Sequence, residues 1–131
     1  MKIKNFVLYQ ICFLFFLIFS CFLSGCSSET TEGEFIYSHT IFSPYVYLVK
    51  HTGNDAIITV PAFVGNYKVW GVKSGAFKDL PNVTEITFLS DNPLSFSRNA
   101  FDNCPNLINV NTKWTKPFKG AFKDCSNIRI Q

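Results

Sequence analysis

Few side chains in this sequence are of the kind that do proton or covalent chemistry. There are two histidines, His39 and His51, and five cysteines among 131 residues. His51 and Asp55, in "HTGND", are four apart. That spacing admits an acid–base or metal pair, but it equally describes the polar loop of a hairpin. Cys104 and Cys125 have no nearby Cys or His partners of the kind a zinc site needs. In an exported chain two such cysteines suggest a disulfide; two thiols buried as small apolar groups are the other reading. No nucleophile stands beside a base and no glycine-rich phosphate loop is present. The expectation is a protein with no catalytic residue, no metal site and no cofactor, hence not an enzyme.

The elements that would hold these residues begin after an N-terminal export segment. Lys2 and Lys4 precede an apolar run from Phe6 to Leu23, and "LSGC" follows at 23–26. A basic start, an apolar stretch and small residues read as a secretory signal; the run is also long enough to be an uncleaved membrane anchor. "LSGC" resembles the lipobox of bacterial lipoproteins. The resemblance implies a signal peptide over 1–25, cleavage, and lipid attached to Cys26. Either reading places the rest of the chain outside the cytoplasm. "SSETTEGE" then reads as a flexible acidic tether over 26–34.

The charge balance also depends on that segment. The chain carries twelve basic and nine acidic residues, and loss of Lys2 and Lys4 brings it close to neutral. No basic surplus remains to recruit nucleic acid.

The strongest signal is a repeat. "GAFKDLPNV" at 75–83, "NAFDNCPNL" at 99–107 and "GAFKDCSNI" at 120–128 are near copies, 24 and 21 residues apart. Gly75, Asn99 and Gly120 share a slot, and both residue types tolerate a left-handed backbone. Phe77, Phe101 and Phe122 share an apolar slot that reads as core. "AFKD", too short for a free-standing helix, reads as one helical or 3₁₀ turn held by its neighbours. Asp79, Asn103 and Asp124 follow, short side chains that bond nearby backbone. Leu80, Cys104 and Cys125 occupy a small apolar slot. Asn82, Asn106 and Asn127 are identical in all copies, amides suited to bonding the backbone of an adjacent coil. Strands follow at "VTEITF" and "LINVN", and a third begins at Ile128.

One short strand and one turn per period predicts a leucine-rich solenoid, each unit burying its apolar edge on the next. The wording G-A-F-x-x-C-x-N-L followed by a strand resembles the BspA-like bacterial leucine-rich repeat family, over roughly 57–131. Ahead of it, "YVYLVKHTGNDAIITVP" at 45–61 has two β-rich runs around "TGND", a hairpin signal. The expected fold is a β-rich α/β solenoid. A β-hairpin cap with a first partial repeat spans 35–74, and about 2.5 leucine-rich units of 21–24 residues span 75–131.

Function then falls to surfaces. Thr84, Glu85, Thr87, Asn109 and Asn111 lie between the apolar positions of the strands and form a candidate ligand face, polar and little charged; a solvated sheet face is the other reading. Tyr67, Trp70 and Trp114 are a second candidate, or packing between coils. The resemblance implies a surface protein of adhesion type, anchored in the bacterial envelope by lipid on Cys26 and holding a protein ligand. The alternatives are an envelope assembly component that forms a homo-oligomer through its open C-terminal edge, or a piece of a longer array.

Overall fold

The computed structural model describes residues 27–113, 116–117 and 119–131. The signal segment, the lipidation candidate Cys26 and the aromatic candidate Trp114 lie outside the described residues.

The strands are β1 (Ser27–Glu32), β2 (Phe35–Thr40), β3 (Tyr45–His51), β4 (Ile57–Val60), β5 (Phe63–Val64), β6 (Tyr67–Val72) and β7 (Phe77–Lys78). They continue with β8 (Glu85–Phe88), β9 (Ser95–Phe96), β10 (Phe101–Asp102), β11 (Asn109–Asn111), β12 (Phe122–Lys123) and β13 (Arg129–Ile130). They form three sheets, and the chain visits the sheets in rotation. On side one, β4, β8, β11 and β13 pair in parallel. On side two, β3, β6 and β9 pair in parallel. On side three, β7, β10 and β12 do the same. The result is a three-sided β-solenoid of leucine-rich type.

Alternation explains side one. Ile58, Val60, Ile86, Phe88 and Val110 point inward and are buried, while the residues between them face out. Val83 and Leu107, ahead of their strands, complete the inner edge. At the centre of side three, Phe77 stacks on Phe101 at 5.2 Å and 5°, and Phe101 on Phe122 at 4.7 Å and 16°. Phe88 meets Phe77 and Phe96 edge-on. These offset and T-shaped pairs each add about 0.5–1.5 kcal/mol beyond area burial.

"AFKD" is not a helical turn. It is extended, and its backbone bonds to the next coil: Phe77 N–H donates to Ala100 O at 2.9 Å, and Asp79 N–H to Asp102 O at 3.0 Å. A four-residue helix satisfies few of its own groups, whereas an in-register neighbour satisfies them directly. The bend lies just ahead, where Ala76 N–H donates to Lys73 O and Ala100 N–H to Ser97 O, both at 3.2 Å. Gly75 and Asn99 sit third in these four-residue turns with φ of +70° and +55°, as a type II turn requires. In the third copy Gly120 lies instead in a 3₁₀ turn, Lys119–Ala121. A second left-handed slot follows the Phe column, at Asp79, Asn103 and Asp124, with φ of 55°, 53° and 54°. Helix among the described residues is confined to that 3₁₀ turn, so the expected α/β character gives way to a nearly all-strand coil.

The N-terminal cap also differs from expectation. β3 and β4 do not pair as a hairpin; they belong to different sheets. His51 N–H donates to Ala76 O at 2.8 Å, so the end of β3 crosses onto side three and "TGND" leads on to side one. The antiparallel cap is the meander β1–β2–β3. The stretch read as a tether is its outer strand, exposed at every residue. Gly33, at φ +58°, closes that hairpin, and "FIYSHT" supplies the strand against which the Ser- and Thr-rich segment pairs.

Candidate functional site

The outward residues of side one fall into columns. Ile57, Glu85, Asn109 and Arg129 are in register on successive strands, and so are Thr59, Thr87 and Asn111. Thr84 sits just before the ladder, its Oγ1 donating to Ala56 O at 3.0 Å. The columns are cross-linked. Asn111 Nδ2 donates to Glu85 Oε1 at 3.1 Å and to Thr87 Oγ1 at 3.0 Å. Asn109 Nδ2 reaches Glu85 Oε2 at 3.5 Å, and Thr87 Oγ1 reaches Glu85 Oε1 at 3.4 Å. Glu85 is thereby held in one orientation, half-buried among amides. Such a surface holds its donors and acceptors in fixed positions.

All five sequence-predicted face residues come together here. Ile57, Thr59 and Arg129 were missed. "IITV" repeats the pattern of "EITF", and that likeness was the available signal for β4.

The repeated asparagines serve the stack. Asn106 Nδ2 donates to Pro81 O at 2.7 Å, and Asn82 Nδ2 to Asn54 Oδ1 at 3.0 Å. Asn127 is exposed on the last coil. Phe77 and Phe101 are fully buried, and Phe122 is half-buried at the end of the column.

His51 does not lie in a polar hairpin loop but at the end of β3. His51 is buried in the aromatic column, 6.0 Å from the Phe77 ring and 4.9 Å from Phe35. Its Nε2 is 3.9 Å from Glu34 Oε2, and among the described residues neither ring nitrogen has a hydrogen-bond partner. Burial pulls its pKa below the ordinary value, against the opposing pull of Glu34 and Asp55. His39 is packed in the cap, its Nε2 2.8 Å from Ser28 Oγ and its ring stacked on Tyr67 at 4.8 Å.

Cys104 and Cys125 are free thiols that occupy the slot of Leu80. Cys104 Sγ donates to Phe77 O at 3.5 Å, one coil back. Burial pushes its pKa up to about 12 and raises that of Cys125 as well, which makes both poor nucleophiles. Of the aromatic candidates, Trp70 packs on Tyr45 at 4.4 Å. Among the described residues, no group of three or more His, Cys, Asp or Glu side chains is placed to hold a metal ion.

No family model matches the chain, and no curated protein matches it in sequence. Among solved structures it is similar to the crystal structure of a leucine rich cell surface protein from Faecalibacterium prausnitzii A2-165. The TM-score is 0.60 at 22% sequence identity, and the match covers 82% of this chain and 31% of that one. The chain thus spans less than a third of the protein it matches, and what the two share is the leucine-rich solenoid fold.

Proposed function

We propose that this chain is a leucine-rich repeat lipoprotein of the bacterial cell envelope, anchored outside the cytoplasm by lipid on Cys26. It is a non-catalytic binding module that holds a protein or host-surface ligand on side one. The observation that carries this reading is the cross-linked polar face. Glu85, Thr87, Asn109 and Asn111 are ordered by one another before any partner arrives, which lowers the entropic cost of recognition. The surface location of the leucine-rich neighbour supports the address.

The test uses cells making the full chain, a Glu85→Ala/Asn111→Ala variant or a Cys26→Ser variant. Adhesion to immobilised host extracellular proteins is the readout. The double variant stays folded and loses adhesion; Cys26→Ser loses fatty-acid labelling and surface retention. Adhesion equal to wild type in the double variant would remove side one as the site.

A second reading rests on the C-terminal end. Among the described residues no strand pairs with the outer edge of β12 or β13. Phe122, Cys125, Ile128 and Ile130 border a shallow concavity of about 430 Å³ there. A second copy seated on that edge would make the protein an assembly component of the envelope. Sedimentation of the detergent-solubilised chain as a monomer at high concentration would exclude it.

A further inference from the structure

Six large apolar side chains are exposed among the described residues: Ile41, Phe42, Ile57, Phe63, Leu89 and Ile108. Four of them border one corner of the coil: Phe63 and Leu89 lie where the chain passes from side one to side two, and Ile41 and Phe42 form the turn that leads from β2 into β3 on side two. The loops of that corner stack on one another. Lys68 N–H donates to Pro44 O and Val69 N–H to Ala62 O, both at 3.0 Å. In the next coil Leu89 N–H donates to Val60 O at 3.0 Å, and Asn92 Nδ2 to Val69 O at 3.4 Å.

The apolar residues there have no folding reason for being exposed. Ser43 N–H donates to Thr40 O at 3.0 Å and closes a tight turn with Ile41 and Phe42 at its tip. Turn tips favour Gly, Asn, Asp and Pro, yet here Phe42 is 88% exposed and Ile41 59%. Phe63 is in register with the exposed Lys68, whose ammonium lies 5.9 Å from its ring. Tyr45, in register with Lys68 on the other side, packs on Trp70.

The occupant follows from where the chain enters. Ser27 pairs with Thr40, the residue that opens the Ile41–Phe42 turn. Ser27, which follows Cys26 in the sequence, therefore lies beside that turn, and the six residues of β1 are in the sheet. Lipid on Cys26 and an uncleaved apolar run both deliver the bilayer to this place.

We propose that this corner is the membrane-contact surface of the protein, with the solenoid lying along the bilayer. Ile41, Phe42, Phe63 and Leu89 enter the boundary between headgroups and acyl chains; Tyr45, Trp70 and Lys68 occupy the headgroup layer, where aromatic and basic side chains are favoured. The inference rests on the anchored reading above and adds an orientation to it. Side three lies across the coil, so its Lys78–Asp102–Lys123 column faces away from the membrane. Strands of side one end at the corner, so Glu85 and Asn109 stand farther from the bilayer than Thr87 and Asn111 and remain open to a partner.

The test reconstitutes the full chain, in a Cys125→Ser background, into vesicles of phosphatidylcholine and phosphatidylglycerol. A nitroxide is placed at Phe42→Cys, at Leu89→Cys or, as a distal control, at Ile108→Cys. Collision rates with oxygen, which concentrates in the bilayer, and with a water-soluble nickel chelate are compared. Labels at 42 and 89 favour oxygen several-fold over the chelate, and the label at 108 shows the reverse. If the chain floats with the vesicles but all three labels report water, anchoring stands and the docked corner is overturned. If the chain does not float, the anchored reading fails and the corner falls with it.

Discussion

The two ends of the aromatic column on side three carry the same kind of ring, yet they are finished differently. At the N-terminal end Phe77 is covered by His51 and then Phe35, and the antiparallel strands β3, β2 and β1 close the edge. At the C-terminal end Phe122 has Phe101 on one face, while Cys125 and Ile128 beside it are only partly buried. A coil in such a stack is stabilised by its neighbours more than by itself. Among the described residues, Phe101 has a coil on each side and Phe122 has one. The closed end has its own cost, since it buries an imidazole whose nitrogens make no hydrogen bond among the described residues.

Truncation of the rings should break the column unequally. Phe101→Ala removes a fully buried ring from the middle and is expected to cost about 3–5 kcal/mol. Phe122→Ala, at the half-covered end, should cost less than half as much. Urea unfolding of both variants measures the gap. Equal losses would mean that Phe122 is covered in solution, as a second copy on the open edge would cover it.

His51 gives the closed end a pH dependence on the acid side of neutrality. Its pKa is ordinary, near 6.5, in the unfolded chain and lower in the fold. The unfolded state therefore binds more protons between those values, and stability rises with pH across that window. This stability is complete above 6.5 and is lost as pH falls toward the folded value. The groups facing the ring are Glu34, Asp55, Phe35 and Phe77. His51→Phe would extend the column by one ring and abolish the slope. Thermal unfolding between pH 8 and pH 5 should show a falling midpoint for wild type and a flatter line for the variant. Parallel lines would mean that His51 keeps its ordinary affinity for protons.

Asn106, one rung from the open end, provides a milder comparison. Its amide donates to Pro81 O one coil back at 2.7 Å. Asn106→Ala should cost about 1 kcal/mol in urea unfolding, because it leaves that carbonyl to water. Asn127→Ala, on the exposed last coil, should cost less; the reverse order would undo the stacking role assigned to the asparagines.

How much of this was legible in the sequence depends on the range of the interaction. The left-handed slot at Gly75 and Asn99 was readable because its steric demand is local. The Phe77–Phe101–Phe122 column was readable because the spacing repeats. The two-residue strands of "AFKD" were not, since each is defined by a partner in the next coil. "TGND" misled for the same reason: two β-rich runs around a turn satisfy every local rule for a hairpin, and only the distant pairing of Ile57–Val60 with Glu85–Phe88 overrides it. Polar "SSETTE" looked like a tether because its own side chains bury nothing; it becomes a strand on the edge of β2. The polar face was found where the copies align, at Glu85 and Asn109, and missed where they do not, at Ile57 and Thr59.

The smallest expected effect lies on the outside of the same column. Asp102, in the middle coil, sits 4.0 Å from Lys78 Nζ below and 3.4 Å from Lys123 Nζ above. Its carboxylate is 13% exposed while the lysines are 56% and 54% exposed, so the charge is held but the partners are solvated. Exposed pairs of this kind are worth about 0.2–1 kcal/mol, and salt screens them. Asp102→Asn removes both contacts and leaves the two lysines in one column without their shared anion. A loss of about 0.5 kcal/mol is expected at low salt, largely gone at high salt. Lys78→Ala and Lys123→Ala each remove one contact, and Lys123 also reaches Asp124 at 3.9 Å. Lys123→Ala should therefore be the costlier of the two, even though it sits at the open end. If Lys78→Ala costs more, burial by the cap rather than charge pairing governs the outer face of the column.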